Sequence, residues 1–392
     1  MGLNDTVSAD RVRIAIFGAR NAGKSSLINA ITGQGVSVVS ETAGTTTDPV
    51  RKTMELLPLG ACEIIDTAGI DDFGELGEKR VAQTKKILRG TDIAILVRDV
   101  KKGPAEEENE LLGEIKRLGI PHITVYNKAD TLSEIPEAKE NEIYVSAKNG
   151  KNITELKNLL GSFARAEKRR IIGDLIERGD TVLLITPIDA AAPKGRLILP
   201  QQQTLRDVLD SGAIPILCRE TEIDDALSSL AKEPKIAVCD SQVFHIADEK
   251  VPKNIPLTSF SLLFARYKGN FSALLEGAAA IDGLCEGDRV LICEACTHHR
   301  TCQDIGTVKI PNLLRRYTGV SPQFEFTSGG DFPSDLSKYA LIIHCGGCMI
   351  NDREMSRRVN DARNAGIPVV NYGMAIAHMR GILSRASACF EK

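Results

Sequence analysis

Gly18-Ala-Arg-Asn-Ala-Gly-Lys-Ser25 is the stretch that decides the fold. It has the form glycine, four residues, Gly-Lys-Ser. The apolar run Arg11-Val-Arg-Ile-Ala-Ile-Phe17 before it reads as a short strand, and Ser26-Leu-Ile-Asn-Ala-Ile31 after it as the start of a helix. Strand, glycine loop and helix in this order wrap successive backbone N–H groups around phosphates at a helix N-terminus. Gly18 and Gly23 let the backbone approach the ligand, Lys24 reaches the β- and γ-phosphates, and Ser25 offers its hydroxyl to Mg²⁺, with Ser26 beside it. A phosphate loop of this kind predicts an α/β fold built on a parallel, doubly wound sheet.

Four further motifs name the base and complete the site. Asp66-Thr-Ala-Gly69 follows the apolar Cys62-Glu-Ile-Ile65, so Asp66 can hold Mg²⁺ through water while Gly69 admits the γ-phosphate. Asn127-Lys128-Ala-Asp130 follows Ile123-Thr-Val-Tyr126. The Asp130 carboxylate can accept two hydrogen bonds from the N1–H and N2–H₂ edge of guanine. Adenine has no such donor pair, so the acid would be left unpaired, which excludes ATP. Ser146-Ala147-Lys148, after Ile143-Tyr-Val145, fits a loop covering the base from the other side. Gly44-Thr-Thr-Thr-Asp48 suits a mobile switch, and Thr46 is the expected second Mg²⁺ hydroxyl. GTP and Mg²⁺ are the expected ligands, with Lys24, Thr46 and Asp66 as the catalytic set.

Over roughly residues 8–165 these motifs resemble the TRAFAC-class GTPases of the TrmE–Era group. Asn21, three residues before Lys24, matches the loop asparagine that helps coordinate K⁺ in potassium-activated members. Ile70 stands where Ras-like enzymes carry a water-positioning Gln, so intrinsic hydrolysis is expected to be slow and to need another source of charge stabilisation. The acids Asp71, Asp72, Glu75 and Glu78 nearby read as solvated surface charges.

At 392 residues the chain is too long for one core and should hold two or three domains. A hydrophobic share of 43% and a charged share of 26% are an ordinary globular balance. The net charge of −3 disfavours a sequence-independent grip on nucleic acid. With Trp absent, and 6 Tyr and 11 Phe, a base-stacking platform is not expected. No apolar run approaches the ~20 residues of a membrane helix, and no secretory leader is read at the N-terminus. Ten cysteines beside a nucleotide site point to a reducing cytoplasm, where spaced Cys more often mean metal or redox chemistry than disulfides.

Strand and helix patterns alternate along the whole chain. Ile93-Ala-Ile-Leu-Val97 and Ile123-Thr-Val-Tyr126 are strands, with a helix over Glu106 to Leu118 between them, and the charged Arg165–Arg170 looks like a helical connector. A second segment carries strands at Asp180–Thr186, Ile214–Cys218 and Lys235–Cys239, with helices over Gln202–Ser211 and Glu222–Ala231. It shows no catalytic constellation, and His245 there reads as a packed or surface residue. Such a unit suits an oligomerisation surface, and a homodimer joined through it is expected. The third segment has strands at Arg289–Cys293, Tyr339–His344 and Ile367–Val370 and a helix over Arg353–Ala365. The expected domains are 1–165, a P-loop GTPase, followed by two smaller Rossmann-like α/β domains at 166–272 and 273–392. No internal repeat is visible in the sequence.

Two of those strands end in potential metal ligands: Arg289–Cys293 runs into Glu294-Ala-Cys296-Thr-His298-His299, and Tyr339–His344 into Cys345-Gly-Gly-Cys348. Parallel neighbours in one sheet would bring both ends to the same carboxyl edge, where α/β folds put their sites. Three readings are open. Cys296, Cys345 and Cys348 could hold a [4Fe–4S] cluster with one iron open to exchange. Zinc could take a Cys₄ set with Cys293, or Cys₃His with His298 or His344. The cysteines could also be buried as small apolar residues. Cys293 lies in register with the strand body and reads as core.

Cys296-Thr-His298, followed after residues 299–343 by His344-Cys345-Gly-Gly-Cys348, resembles the Cys-x-His…His-Cys-x-x-Cys signature of the HydF family. These are the GTPases that mature [FeFe]-hydrogenase, and the resemblance covers essentially the whole chain. It implies a scaffold that carries a diiron precursor, made by the radical-SAM maturases HydE and HydG, beside its own [4Fe–4S] cluster, and acts as its chaperone in delivery to apo-[FeFe]-hydrogenase. It also implies Cys296, Cys345 and Cys348 as cluster ligands, with His298 and His344 as motif residues that either ligate or support. The alternative function is a TrmE/Era-like GTPase of ribosome or tRNA metabolism with a zinc-stabilised C-terminal module.

Overall fold

A computed structural model describes residues 11–33, 50–57, 59–67, 84, 87–163, 170–188, 197–295, 305–329, 331–347 and 350–390. The chain divides into two compact units, Met1–Glu167 and Lys168–Lys392.

The first unit is built on β1 (Val12–Phe17), β2 (Val50–Leu56), β3 (Gly60–Asp66), β4 (Ile93–Asp99), β5 (His122–Asn127) and β6 (Glu142–Tyr144), in the order β2-β3-β1-β4-β5-β6. All neighbours are parallel except β2, which runs antiparallel to β3 from Val50↔Asp66 to Leu56↔Gly60. The sequence reading expected a parallel sheet and did not place the strand at 50–56. Because only residues 57–59 separate β2 from β3, the connection can close an antiparallel pair and cannot make a parallel crossover.

Alternate residues of the central strands feed two apolar layers. Ile14, Ile16, Ile64, Ile95 and Val97 face the helices Lys24–Thr32 and Ile153–Ser162, which contribute Leu27, Ile28, Leu156 and Leu160. Ala15, Phe17, Ile65, Ala94 and Leu96 face the other way, toward Leu111 and Ile115 of the helix Glu106–Arg117. Each fully buried Leu or Ile contributes about 1.5–3 kcal/mol, so covering both faces is what makes the sheet doubly wound. The last helix also carries Glu106, Glu107 and Glu108 in its first turn and Lys116 and Arg117 in its last, matching the helix dipole. Buried Glu108 pairs with Arg98 of β4 at 3.1 Å.

The second unit contains two four-stranded sheets. One has β7 (Thr181–Ile185), β8 (Ile214–Cys218), β9 (Ile236–Cys239) and β10 (Leu257–Ser259) in the order β10-β9-β7-β8. The other has β11 (Arg289–Glu294), β12 (Gln323–Ser328), β13 (Leu341–His344) and β14 (Val369–Asn371) in the order β12-β11-β13-β14. All pairs are parallel. Numbered within each sheet, both orders are 2-1-3-4, a repeat of architecture that the sequence does not display. A single apolar cluster runs through both sheets, from Leu183, Ile185 and Ala237 to Val290, Ile343 and Val370. β10, β12 and the helices Phe244–Lys250, Phe260–Tyr267, Phe271–Ala279, Ile310–Thr318 and Tyr372–Met379 add to the elements expected from sequence. The helix expected over Glu222–Ala231 is shorter, a 3₁₀ turn at Glu220–Glu222 followed by Ile223–Ser228. The connector at Arg165–Arg170 lies almost wholly outside the described residues.

The helix Phe271–Ala279 approaches β14 so closely that a Cβ at Gly277 would fall 1.9 Å from the carbonyl oxygen of Val369 and 2.5 Å from its carbon. Helix propensity alone favours Ala over Gly by about 0.5–1 kcal/mol, whereas forced overpacking against backbone costs about 1–3 kcal/mol or more. Gly277→Ala is therefore expected to destabilise the protein, read as a lower urea midpoint. An unchanged or raised midpoint would show that the helix can shift away from β14.

Candidate nucleotide site and cysteine-bearing sheet edge

The phosphate loop joins β1 to the helix Lys24–Thr32. Gly18 has φ +148° and passes so near β4 that a Cβ would lie 2.2 Å from the Val97 carbonyl oxygen. Gly23 has φ +92°, and a Cβ there would lie 2.3 Å from Asn127 Nδ2. Both glycines answer to a close approach of backbone as well as to conformation. Asn21 adopts φ +64°, a left-handed geometry that asparagine tolerates better than most residues. Lys24 is buried, and its Nζ donates to the carbonyls of Gly18 at 2.8 Å and Ala19 at 2.9 Å. Ser25 Oγ donates to Asp66 Oδ2 at 2.8 Å, so the two residues expected around Mg²⁺ meet across 41 positions of sequence. Thr46 and Gly69 lie outside the described residues, as does Ile70.

Asn127 is the node of the base-side loops. It is 2% exposed; its Nδ2 donates to Ala22 O and its Oδ1 accepts from Ala147 N, each at 3.0 Å. One side chain thus ties the phosphate loop to the Ser146-Ala-Lys148 loop. Lys128, at φ +67°, donates to Asp99 Oδ2 at 2.6 Å. Partial burial works to raise the Asp99 carboxyl, but the Lys128 ammonium holds it below the usual range. Asp130 is exposed, and the hydroxyl of fully buried Ser146 donates to its Oδ1 at 2.6 Å, which keeps the carboxyl ionised below its ordinary range. Ser146 therefore orients Asp130 from behind, while Ala147 and Lys148 form wall. Gly23, Ser26, Asn127, Asp130, Ala147 and Lys148 line one open pocket of about 850 Å³. Asp99 was missed in the sequence; its place at the end of an apolar strand, two residues past Val97, was the available signal.

The second site lies where β11 and β13 end. Their register, Cys293↔His344, brings the two expected ligand segments to one edge. Cys345 N–H donates to Cys293 O at 2.8 Å, and Ala295 N–H donates to Cys345 Sγ at 3.1 Å. A partly exposed sulfur that already accepts an amide N–H fits a thiolate metal donor, and the next residue after Ala295 is Cys296. Cys296, Cys348 and His298 lie outside the described residues, and among the described residues no group of three or more His, Cys, Asp or Glu forms a metal site. Cys293 is fully buried and its thiol is pushed up to about 12 by that burial, so it stays protonated as core, as its strand register led us to expect.

His344 is 1% exposed. Arg358 Nη1 lies 3.1 Å from its Nε2, and since guanidinium only donates, Nε2 must accept. The proton then sits on Nδ1, which donates to Cys345 O at 2.7 Å. Burial first, then the Arg358 charge, depress the imidazole to about 4, so it is neutral at neutral pH. Both ring nitrogens are engaged within the protein, in supporting the loop. Arg358 is itself held by Glu354 Oε1 at 2.9 Å and by Gly329 O at 3.0 Å. Among the described residues no helix is long and apolar enough to cross a membrane.

Truncating the Asn127 node leaves a part-buried N–H and a buried carbonyl without their partner, and loss of the buried one costs about 1–3 kcal/mol. Asn127→Ala is expected to weaken guanine-nucleotide binding by about ten- to a hundredfold in calorimetry, with the second unit's unfolding transition unmoved. Wild-type affinity would show that the two loops hold their places without it.

Three family models match successive parts of the chain: 50S ribosome-binding GTPase over residues 13–128, hydrogen maturase F dimerization domain over 171–269, and hydrogen maturase F tetramerization domain over 272–389. The tRNA modification GTPase MnmE of Legionella pneumophila (strain Corby) is 40% identical over 153 residues, covering 38% of this chain and 33% of that protein. GTPase Der of Kosmotoga olearia is 36% identical over 180 residues, covering 41% of this chain and 40% of that protein. The chain thus spans about a third to two fifths of the length of these relatives. Among solved structures, the G domain of the T. maritima FeoB iron transporter aligns at 26% identity over 40% of this chain and 99% of that one, with a TM-score of 0.32. With both oligomerisation models matched in order after a GTPase model that covers residues 13–128, the chain belongs to the hydrogen maturase F family.

Proposed function

We propose that this chain binds and hydrolyses GTP with Mg²⁺ and serves as a carrier of iron–sulfur and diiron units in [FeFe]-hydrogenase maturation. The observation that carries the reading is the conjunction, in one chain, of a guanine-type pocket and a sheet edge that presents Cys345 beside Ala295 N–H within the family's C-terminal domain. Similarity to MnmE stops after 153 residues and supports the hydrolytic chemistry, not an action on tRNA.

In the nucleotide site Asp130 selects guanine, held by Ser146, while Lys128 is steadied by Asp99. Lys24 moves from the Gly18 and Ala19 carbonyls to the β- and γ-phosphates. Ser25 and Thr46 bind Mg²⁺ directly, and Asp66 holds it through water. Asn21 contributes to a K⁺ site, which supplies positive charge where no catalytic Gln follows Gly69. At the sheet edge Cys296, Cys345 and Cys348 hold a [4Fe–4S] cluster. Such a cluster, with three thiolates, supplies one iron whose remaining position an outside ligand can take. His344 fixes the Cys345 carbonyl through Nδ1–H, and His298 is a further motif residue of the Cys296-Thr-His298 segment. The chain divides functionally into 1–165, 166–272 and 273–392, assembles as a homodimer through the second part with further association through the third, and works in a reducing cytoplasm with HydE, HydG and apo-[FeFe]-hydrogenase as partners.

Hydrolysis is expected to be GTP-specific, Mg²⁺-dependent and faster in K⁺ than in Na⁺. Lys24→Ala should abolish turnover, and Asp130→Asn should move preference toward xanthine nucleotides, whose 2-oxo group can accept what the new amide donates. Equal rates in the two salts would remove the K⁺ site.

Anaerobically purified protein should be brown and carry about four irons per chain. Changing any of Cys296, Cys345 or Cys348 to Ser should lower that content and stop hydrogenase activation, with GTP hydrolysis intact. Cys293→Ser should keep the cluster. Loss of iron in Cys293→Ser with retention in Cys296→Ser would overturn the ligand set, and colourless zinc-loaded protein would overturn the cluster.

A further inference from the structure

Lys268 sits just past the end of the helix Phe260–Tyr267, at the close of the segment matched as a dimerization domain. A lysine there would normally reach solvent or the carbonyls of its own last helical turn. This one is 6% exposed. Its Nζ donates to Gly347 O and, at 3.0 Å, to Ile350 O. Those two carbonyls close a tight turn, because Ile350 N–H also donates to Gly347 O at 3.2 Å and Gly347 takes φ +64°. Cys348 lies between them in sequence, and Cys345 opens the same loop. Asn270, two residues on, donates from Nδ2 to Lys268 O at 3.2 Å and fixes the stem of this contact.

Burying a lysine costs free energy unless its ammonium is well bonded, so a buried ammonium aimed at two carbonyls of one turn is a strong geometric constraint on that turn. The turn cannot open while the ammonium bridges its two ends. We infer that Lys268 is a positioning residue: a clamp by which the dimerization segment holds Gly347 and Ile350 in place on the loop that Cys345 opens, and so pre-organises that loop for metal. The inference rests on the cluster reading of that loop, and pre-organisation lowers the conformational cost of binding. The oligomerisation segment and the metal-bearing loop are then mechanically linked, and a disturbance of the helix Phe260–Tyr267 reaches the loop through the Lys268 side chain.

The test is amide hydrogen exchange on the full chain, first without metal, comparing wild type with Lys268→Met, which keeps length and removes the donors. Loop amides, Ile350 above all, should exchange about tenfold faster or more, while β11 and β13 exchange as in wild type. In iron-loaded protein the same variant should lose iron to a chelator faster and show an altered EPR signal, with GTP hydrolysis unchanged. If Lys268→Met does not fold, Lys268→Gln carries the test, since its shorter amide can reach only one carbonyl and should give an intermediate rate. Wild-type exchange in whichever variant folds, or acceleration spread over the whole second unit, would overturn the clamp. A wild-type protein that takes up no iron would overturn the cluster reading instead, and the metal-free exchange would still decide the clamp.

Discussion

Parallel pairing places the chemistry of this protein. When neighbouring strands run the same way, the loops that follow them emerge at one edge, however far apart they lie in sequence. β1, β3, β4 and β5 deliver the phosphate loop, Asp66, Asp99 and Asn127 to one rim of the first sheet. β11 and β13 deliver Ala295 and Cys345 to one rim of the third. The register is held by fully buried aliphatic residues on both faces, so a slip by one residue would exchange the two apolar layers and break the fit of each to its helices. The sites are precise because the cores beneath them cannot slide.

At those rims the polar groups are held by one another. Asn127 satisfies a carbonyl of one loop and an N–H of another, and Ser146 spends its hydroxyl on Asp130. Around the cysteine edge, His344, Arg358, Glu354 and Lys268 are all buried, and each meets a carbonyl, a ring nitrogen, a carboxylate or a guanidinium. In a low-dielectric setting an unpaired member of such a network would be costly, so the networks fix single conformations as well as adding stability. The depressed imidazole of His344 belongs to this logic: burial and the neighbouring guanidinium keep it neutral, and neutrality lets it accept from Arg358 and donate to Cys345.

The second unit repeats one architecture with different outcomes. In both sheets the first and third strands are central neighbours, paired Val182↔Ile236 in one and Val290↔Leu341 in the other. Carrying that register forward, Cys239 occupies the place of His344. Asp240, whose N–H donates to Ile185 O at 3.2 Å, occupies the place of Cys345, whose N–H donates to Cys293 O at 2.8 Å. The same rim thus carries a thiol in the third sheet and a carboxylate with a structural role in the second, where Asp240 accepts from Gln242 N–H. A continuous apolar cluster joins the two sheets, so a residue of one, such as Lys268, can act on a loop of the other.

The sequence by itself determined the nucleotide motifs, the succession of α/β units and the candidate cysteine ligands. Each of these is a local pattern: phosphate binding needs a glycine loop contiguous with its helix, and a strand buried on both faces needs an unbroken apolar run. Cys293 could be read as core for the same reason. What the tertiary structure decided are relations between distant residues, which leave no local period. Lys128 finds Asp99 29 positions away, Lys268 finds Gly347 79 positions away, and β2 turns antiparallel because a short connection allows nothing else. The duplicated sheet order was hidden because Thr-Val-Leu-Leu-Ile185 and Arg-Val-Leu-Ile-Cys293 share a Val-Leu pair and otherwise only the apolar character that any buried parallel strand requires. Topology is set by which strands pair, and pairing is a property of the folded chain.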